Sequence, residues 1–307
     1  MSELRCATVA RDEGLDPLGT AGHYRGFVLV EWPLPWPPDL AEVPALGPLV
    51  AALAGTGLRL QGVVPTERDE RRVVLYRRPV GSADAGFVCY ERIERRVAPD
   101  GVVDAAVELV GGEATPPADP AGGGGRGEVL ICTHGRRDAC CGRHGTALVM
   151  QMATDAAIAG AGYRVARTSH TGGHRFAPTA IVLPEGTMWA FLDAELLARI
   201  VLRQGEVAAV LGHYRGSTAI GSPGLQAVER AAFAEVGWEW LEWRRWGEEL
   251  ADGRVRVVGE GPDGTRRAWT AEVTDRAKPV PVCGQPLAAA VKQQHEPVVV
   301  SLETTPA

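Results

Sequence analysis

Two cysteines and two histidines provide the residue types of a metal centre. Cys132 and Cys141 follow a short apolar stretch, and His170 and His174 lie within the segment SHTGGHRFAPT. Thiolates and imidazoles suit either Zn²⁺ or a [2Fe–2S] cluster. The H-x3-H spacing is familiar from zinc sites, whereas C-x8-C is wider than the cysteine spacing of zinc fingers and can surround a larger group. Spacing alone therefore leaves zinc and a two-iron cluster both open.

The ligand set itself has alternatives in the neighbouring sequence. Cys140 precedes Cys141 and is chemically equivalent to it. The stretches CTH and CGRH also form C-x-H and C-x2-H pairs of the Rieske type, which would use His134 and His144 as ligands. Rieske pairs are more widely separated and lie on a β scaffold, so this arrangement is disfavoured. His134 and His144 then either form hydrogen bonds around the site or face solvent.

Hydrophobic patterning after residue 127 predicts the elements that position these side chains. They are a strand (Glu128–Cys132), a helix (Gly145–Ala159), a strand (Tyr163–Arg167), a hairpin within APTAIVLPEGTMWAFLD and a helix (Ala194–Arg203). This order is that of the thioredoxin core, in which the first strand, the first helix and a cis-proline loop converge. The order therefore brings the four candidate ligands together and predicts a cis peptide bond before Pro178.

The N-terminal part repeats this order of elements. It is predicted to contain strands (Phe27–Glu31, Arg59–Val64), a hairpin (Val73–Arg77 with Phe87–Ile93) and two helices (Leu40–Leu53, Val102–Val110). The segment EWPLPWPP replaces the cysteine loop, so no ligand types remain there. We therefore predict an α/β protein with two thioredoxin-like halves, of which the first (residues 1–114) lacks ligands and the second spans 128–237. The Pro/Gly-rich stretch 115–127 is interpreted as a flexible linker.

The last part of the chain is predicted to be a small β-rich accessory segment (238–307). Its strands are expected at 254–260, 267–273 and 297–302. Before it, residues 226–246 are amphipathic and rich in tryptophan. On a single helix these tryptophans would spread around more than half the circumference, so some are expected to attach the tail to the main body.

The two motifs CTHGRRDACCGRHG and SHTGGHRFAPT resemble the sucrase/ferredoxin-like family, the thioredoxin-like ferredoxins with mixed cysteine and histidine ligation. The resemblance covers roughly residues 128–189. It implies a [2Fe–2S] cluster with one iron held by Cys132 and Cys141 and the other by His170 and His174. It favours Cys141 over Cys140, and it does not imply sugar hydrolysis, because no carboxylate pair suggests a glycosidase site.

The charge of such a site predicts its redox behaviour. Two thiolates cancel the +2 charge of a diferric core and neutral imidazoles add nothing, so the reduction potential is expected above that of plant-type ferredoxins. Reduction would raise the pKa of the histidine ring nitrogens, coupling proton to electron transfer. We therefore expect an electron carrier or redox sensor rather than a catalyst with its own substrate. A structural zinc protein is the first alternative. A thiol–disulfide oxidoreductase is disfavoured because the chain lacks a C-x-x-C motif in this loop.

Composition limits the remaining function classes. The net charge is −6, which gives no reason to expect nucleic-acid binding. No apolar run is long enough to span a membrane, and the first residues lack the apolar core of a signal peptide, so a cytoplasmic location is expected. Arginines flank the candidate ligands and either dock an acidic redox partner or are solvated: Arg136, Arg137, Arg143 and Arg175.

Overall fold

The computed structural model describes residues 5–79, 86–112 and 126–307. The helices are α1 (Cys6–Asp12), α2 (Gly47–Leu53), α3 (Val102–Gly111), α4 (Thr146–Met152), α5 (Ala156–Gly160), α6 (Ala194–Val201) and α7 (Pro223–Val236). The strands are β1 (Gly26–Glu31), β2 (Leu58–Val63), β3 (Arg71–Arg77), β4 (Glu91–Val97), β5 (Gly127–Cys132), β6 (Tyr163–Thr168), β7 (Ala180–Leu183), β8 (Thr187–Trp189), β9 (Tyr214–Ser217), β10 (Arg244–Glu249), β11 (Val255–Glu260), β12 (Arg266–Pro279) and β13 (Gln293–Pro306). Apart from residues 126 and 127, the predicted linker lies outside the described residues.

The larger sheet contains both predicted halves. Its strand order is β4-β3-β1-β2-β6-β5-β7-β8-β9. In the first half, β1 pairs parallel with β2 and antiparallel with β3. In the second half, β5 likewise pairs parallel with β6 and antiparallel with β7. The halves meet where Val63 at the end of β2 pairs with Thr168 at the end of β6. The prediction of an α/β fold with two thioredoxin-like halves is confirmed, and strands β10–β13 form a separate antiparallel sheet.

Buried ion pairs connect the two halves of the large sheet. The Arg72 guanidinium on β3 donates to Glu128 at 2.6 Å, and Arg164 on β6 donates to Glu31 at 2.9 Å. Both carboxylates are 2% exposed. Burial raises the pKa of Glu128, and Arg72 opposes that shift. Each pair joins one half to the other, so these charges fix the relative position of the halves.

Two elements of the N-terminal half differ from prediction. The predicted helix 40–53 is divided into two short 3₁₀ turns, Leu40–Glu42 and Pro44–Leu46, followed by α2. Pro44 lacks the backbone N–H that a continuous helix would require. The second hairpin strand begins at Glu91 instead of Phe87, because Phe87 is buried against Tyr90 and forms an isolated bridge with Arg245.

The helix predicted at 145–159 is divided into two helices. A π-helical turn over Cys141–Gly145 precedes α4, and the chain interrupts the helix after Met152. Asp155 then begins α5 by accepting hydrogen bonds from the N–H groups of Ala157 and Ile158. An aspartate N-cap of this kind favours a new helix start over continuation.

The tryptophan-rich segment is not one helix. α7 ends at Val236, a 3₁₀ segment covers Gly237–Glu242, and β10 follows. This change of structure lets Trp240 and Trp243 pack around Trp269 of β12, with ring centroids 5.3 and 6.3 Å from it. The last two strands are fourteen residues long each, much longer than predicted. No helix within the described ranges is long and apolar enough to cross a membrane.

Candidate metal centre

The histidine-bearing loop is held by the end of β2, in the other half of the sheet. Gln61 donates from Nε2 to the Ser169 carbonyl at 2.8 Å and to its hydroxyl at 3.0 Å. The N–H of Gly62 also donates to Ser169 Oγ, and the N–H of Ser169 donates back to the Gly62 carbonyl. The N-terminal half, which supplies none of the four candidate ligands, therefore supports the loop that carries the histidines.

Two arginines bind carbonyl groups of the same loop. Arg59 donates to the His170 carbonyl, and Arg215 donates to the Gly172 carbonyl at 3.2 Å. Gly172 and Gly173 adopt positive φ angles of 82° and 67°, which favour glycine. A Cβ at Gly173 would lie 2.8 Å from the Arg215 guanidinium. The two glycines therefore allow the loop to turn tightly over Arg215.

The pentapeptide GHYRG, which occurs twice, contributes to this support. Its second copy supplies Arg215, and its first copy supplies Tyr24, which accepts a hydrogen bond from Arg59. The N–H of Tyr24 also donates to the Thr218 carbonyl just after the second copy. Sequence position gave no reason to connect these residues with the histidine loop.

Cys132 and Cys141 are brought together at the end of β5. Hydrogen bonding from the Cys141 thiol holds the pKa of Cys132 well below its ordinary value, against the effect of burial. The His170 ring and the backbone N–H groups of His134 and Thr171 lower that pKa further. Gly145 is required here, because a Cβ at that position would lie 1.9 Å from the Cys132 carbonyl oxygen.

The two histidines differ in environment. His170 Nδ1 is buried and has no hydrogen-bond partner, so it is available as a ligand. His174 is 41% exposed, and its Nε2 lies 3.8 Å from an Asp138 carboxylate oxygen. Burial lowers the pKa of His174, which favours the neutral ring that binds metals. The structure thus brings Cys132, Cys141 and His170 together, whereas His174 lies with Asp138 and Cys6.

Cys140 points away from this group. Its sulfur lies 3.6 Å from Cys6 Sγ and 3.5 Å from Cys283 Sγ. The sulfurs of Cys140 and Cys141 therefore belong to two different groups of side chains, although the two residues are adjacent in sequence. Hydrogen bonding from Cys6 lowers the pKa of Cys140 to about 5. Cys6 and Cys283 are 277 residues apart, and so large a separation provides no sequence motif that would connect them.

His134 and His144, the ligands of the Rieske-type alternative, lie in different environments. His134 is buried edge-on against Trp36, with ring centroids 5.6 Å apart, and burial lowers its pKa. His144 is half-buried in the π-helical turn. A pocket of about 350 Å³ between the halves is lined by His134 and His170, together with Arg59 and Arg137.

The family comparison matches residues 17–216 to the sucrase/ferredoxin-like model. This chain belongs to the sucrase/ferredoxin-like family. No curated protein and no solved structure gives a significant match. The sucrase/ferredoxin-like match includes the four candidate ligands and Cys140, whereas Cys6, Cys283 and the smaller sheet lie outside it. The prediction that the Ala177–Pro178 bond is cis is confirmed.

We expect the substitution Gln61→Leu to destabilise the protein by about 1–3 kcal/mol, because it leaves the buried Ser169 carbonyl without its side-chain donor. Gln61 is fully buried. Denaturant unfolding measures the loss, and hydrogen exchange should rise in residues 168–172. Gln151→Leu on the exposed face of α4 is the matched control and should change stability by less than about 0.5 kcal/mol. Equal effects of the two substitutions would contradict this role for Gln61.

Proposed function

We propose that this protein binds a [2Fe–2S] cluster through Cys132, Cys141, His170 and His174 and transfers single electrons with a partner protein. The observation that carries the proposal is the grouping of the Cys132 sulfur with the Cys141 thiol and the His170 ring, beside a buried His170 nitrogen that has no partner. A cluster of this type supplies a one-electron couple when bound.

Features of the chain's own residues support a mixed ligand set. The N–H groups of His134 and Thr171 are directed at the Cys132 sulfur, and hydrogen bonds to ligand sulfurs raise a cluster's potential. The ligand charge acts in the same direction, because two thiolates and two neutral histidines carry less negative charge than four thiolates. The potential is therefore proposed to lie above that of plant-type ferredoxins.

The proposed partner is an acidic redox protein. Arg136, Arg137 and Arg143 are exposed near the cysteine loop, and Arg137 also lines the pocket that reaches His170. Arg175 is less suited to docking, because it donates to Gln294 at 2.8 Å. Six free cysteines fit a reducing compartment, so a cytoplasmic location is part of the proposal.

Electron paramagnetic resonance of the dithionite-reduced protein tests the ligand assignment. We expect a [2Fe–2S] signal from the parent protein and its loss in each of Cys132→Ala, Cys141→Ala, His170→Ala and His174→Ala. Cys89→Ala and His144→Ala are the matched controls and should retain the signal, because neither side chain is proposed to bind a metal.

Other outcomes would contradict the proposal in distinct ways. A colourless protein with stoichiometric zinc that is lost on replacing these four residues would indicate a structural zinc site. Loss of the signal in His134→Ala and His144→Ala, but not in His170→Ala, would indicate Rieske-type ligation. Disulfide reductase activity that survives replacement of His170 and His174 would favour a thiol oxidoreductase.

A further inference from the structure

Three cysteines outside the proposed cluster site form a second group of sulfurs. The Cys140 sulfur lies 3.6 Å from that of Cys6 and 3.5 Å from that of Cys283, and all three ligand atoms lie within 4.8 Å of one another. Cys6 and Cys140 are 1% exposed. Among the described residues, no sulfur of this group takes part in the proposed [2Fe–2S] site.

The three sulfurs come from parts of the chain that are far apart in sequence. Cys6 begins α1, Cys140 ends the cysteine loop, and Cys283 lies in the connection between β12 and β13. The backbone N–H of Cys6 also donates to the Cys283 sulfur at 3.3 Å.

Contacts further along the same elements fix their approach. Lys278 donates to the carbonyls of Glu13 and Gly14 at 3.2 and 3.0 Å, and Glu296 accepts from the N–H of Asp16 at 2.8 Å. Gln294 donates to the Asp16 carbonyl at 2.8 Å. The β12–β13 arm is therefore attached to the N-terminal segment at several points, and the meeting of the three sulfurs agrees with the surrounding packing.

The spacing of the sulfurs matches that of zinc ligands. Two sulfurs that each lie about 2.3 Å from a tetrahedral zinc ion are roughly 3.8 Å apart. A disulfide instead requires about 2.05 Å between two sulfurs and has no place for the third. We propose that Cys6, Cys140 and Cys283 bind a Zn²⁺ ion as three thiolate ligands.

The fourth ligand is available next to Cys6. A carboxylate oxygen of Asp138 and a ring nitrogen of His174 lie within 4.8 Å of the Cys6 sulfur and of each other. His174 is assigned to the [2Fe–2S] site, so Asp138 completes the zinc coordination directly or through a water molecule. Asp138 also accepts hydrogen bonds from the N–H groups of Cys140 and Cys141, which places it between the two sites.

Such an ion would connect α1 and the β12–β13 arm to the loop that carries Cys141. Cys6 and Cys283 lie outside the family match, whereas Cys140 lies within it. The proposed zinc site thus takes two of its three sulfurs from outside the matched range. Its three sulfur ligands do not depend on the proposed [2Fe–2S] site, whereas the choice of Asp138 over His174 as the fourth ligand rests on it.

Metal analysis of the full-length protein purified without chelator tests the site. We expect one zinc per chain in the parent protein and its loss in Cys283→Ser. Cys283 is the most accessible of the three, so this variant is the least disruptive to folding, and circular dichroism checks that it folds. Cys89→Ser is the matched control, because Cys89 is another partly buried free cysteine and belongs to neither sulfur group. It should keep its zinc.

A second variant separates this site from the proposed cluster site. The double substitution Cys132→Ala with His170→Ala should abolish the iron signal and leave the zinc bound. Cobalt substitution provides an independent readout, since thiolate-to-cobalt charge-transfer absorption should appear in the parent protein and disappear in Cys283→Ser. Zinc that is lost from the double variant but retained in Cys283→Ser would overturn the proposal. So would a zinc-free parent protein whose mass shows a disulfide that Cys283→Ser removes.

Discussion

Replacing Arg245 with methionine is expected to lower the free energy of unfolding by about 3–5 kcal/mol, because it leaves a buried carboxylate without its counter-charge. Arg245 and Glu229 are both fully buried, and Arg245 Nε lies 3.2 Å from Glu229 Oε1. Glu229 Oε2 accepts hydrogen bonds from Tyr214 and from the N–H of Ser217 at 3.0 and 3.1 Å. These neutral donors cannot replace the charge of Arg245.

The loss of unfolding free energy in Arg245→Met should be larger at high pH than at low pH. Burial raises the pKa of Glu229, and Arg245 opposes that shift. Without Arg245 the folded-state pKa rises further above the unfolded value. The folded variant then takes up a proton on acidification, so the destabilisation should be largest above that folded-state pKa and diminish as the pH falls through it.

Thermal and urea unfolding of Arg245→Met between pH 5 and pH 8 measures both effects. Adding Glu229→Gln should restore more than half of the lost stability, because the unpaired charge is removed. Arg254→Met is the surface control. Arg254 is 42% exposed and pairs with Asp252 at 2.8 Å, so its replacement should cost less than about 1 kcal/mol. A loss in Arg245→Met that is equal at all pH values and unchanged in the double variant would contradict the charge argument.

Replacing Trp269 with alanine is expected to cost about 3–5 kcal/mol, as for other large aromatic side chains removed from a core. Trp269 is fully buried among Trp240 and Trp243, and its indole N–H donates to Glu235 on α7 at 2.7 Å. One hydrophobic cluster includes Trp269 of the smaller sheet together with Val129 of β5 and Trp189 of β8. The smaller sheet therefore shares its core with the larger one.

Because the core is shared, Trp269→Ala should lower the single unfolding transition of the whole chain. Chemical denaturation followed by tryptophan fluorescence and by circular dichroism checks this, and the two probes should coincide. Trp246→Ala on β10 is the matched control, since that ring is half-buried and lies outside the cluster. It should cost much less. A separate early transition confined to the last seventy or so residues would show instead that the smaller sheet unfolds independently.

Sequence patterning predicted the elements that depend on local interactions. The apolar runs at β1 and β5 are buried strands, β2 and β6 are partly buried strands near their predicted positions, and the repeated order of strands and helices predicted two similar halves. The predicted bounds of a strand and a helix were wrong where a side chain makes a contact that hydrophobic patterning does not include. Phe87 lies outside the strand in which it was predicted and forms an isolated bridge with Arg245. Asp155 caps the start of a new helix within a stretch that was predicted to be one continuous helix.

The sequence alone determined the candidate ligand types, the loops that carry them and the two-half α/β organisation, because residue chemistry and hydrophobic periodicity are local properties. Tertiary structure alone decided that Gln61 and Arg59 of one half hold the histidine loop of the other. It also decided that Cys140 and Cys141 face different groups and that Cys6 meets Cys283 across 277 residues. Such contacts depend on how whole helices, strands and loops pack against one another, and the spacing of residues along the chain does not predict that packing.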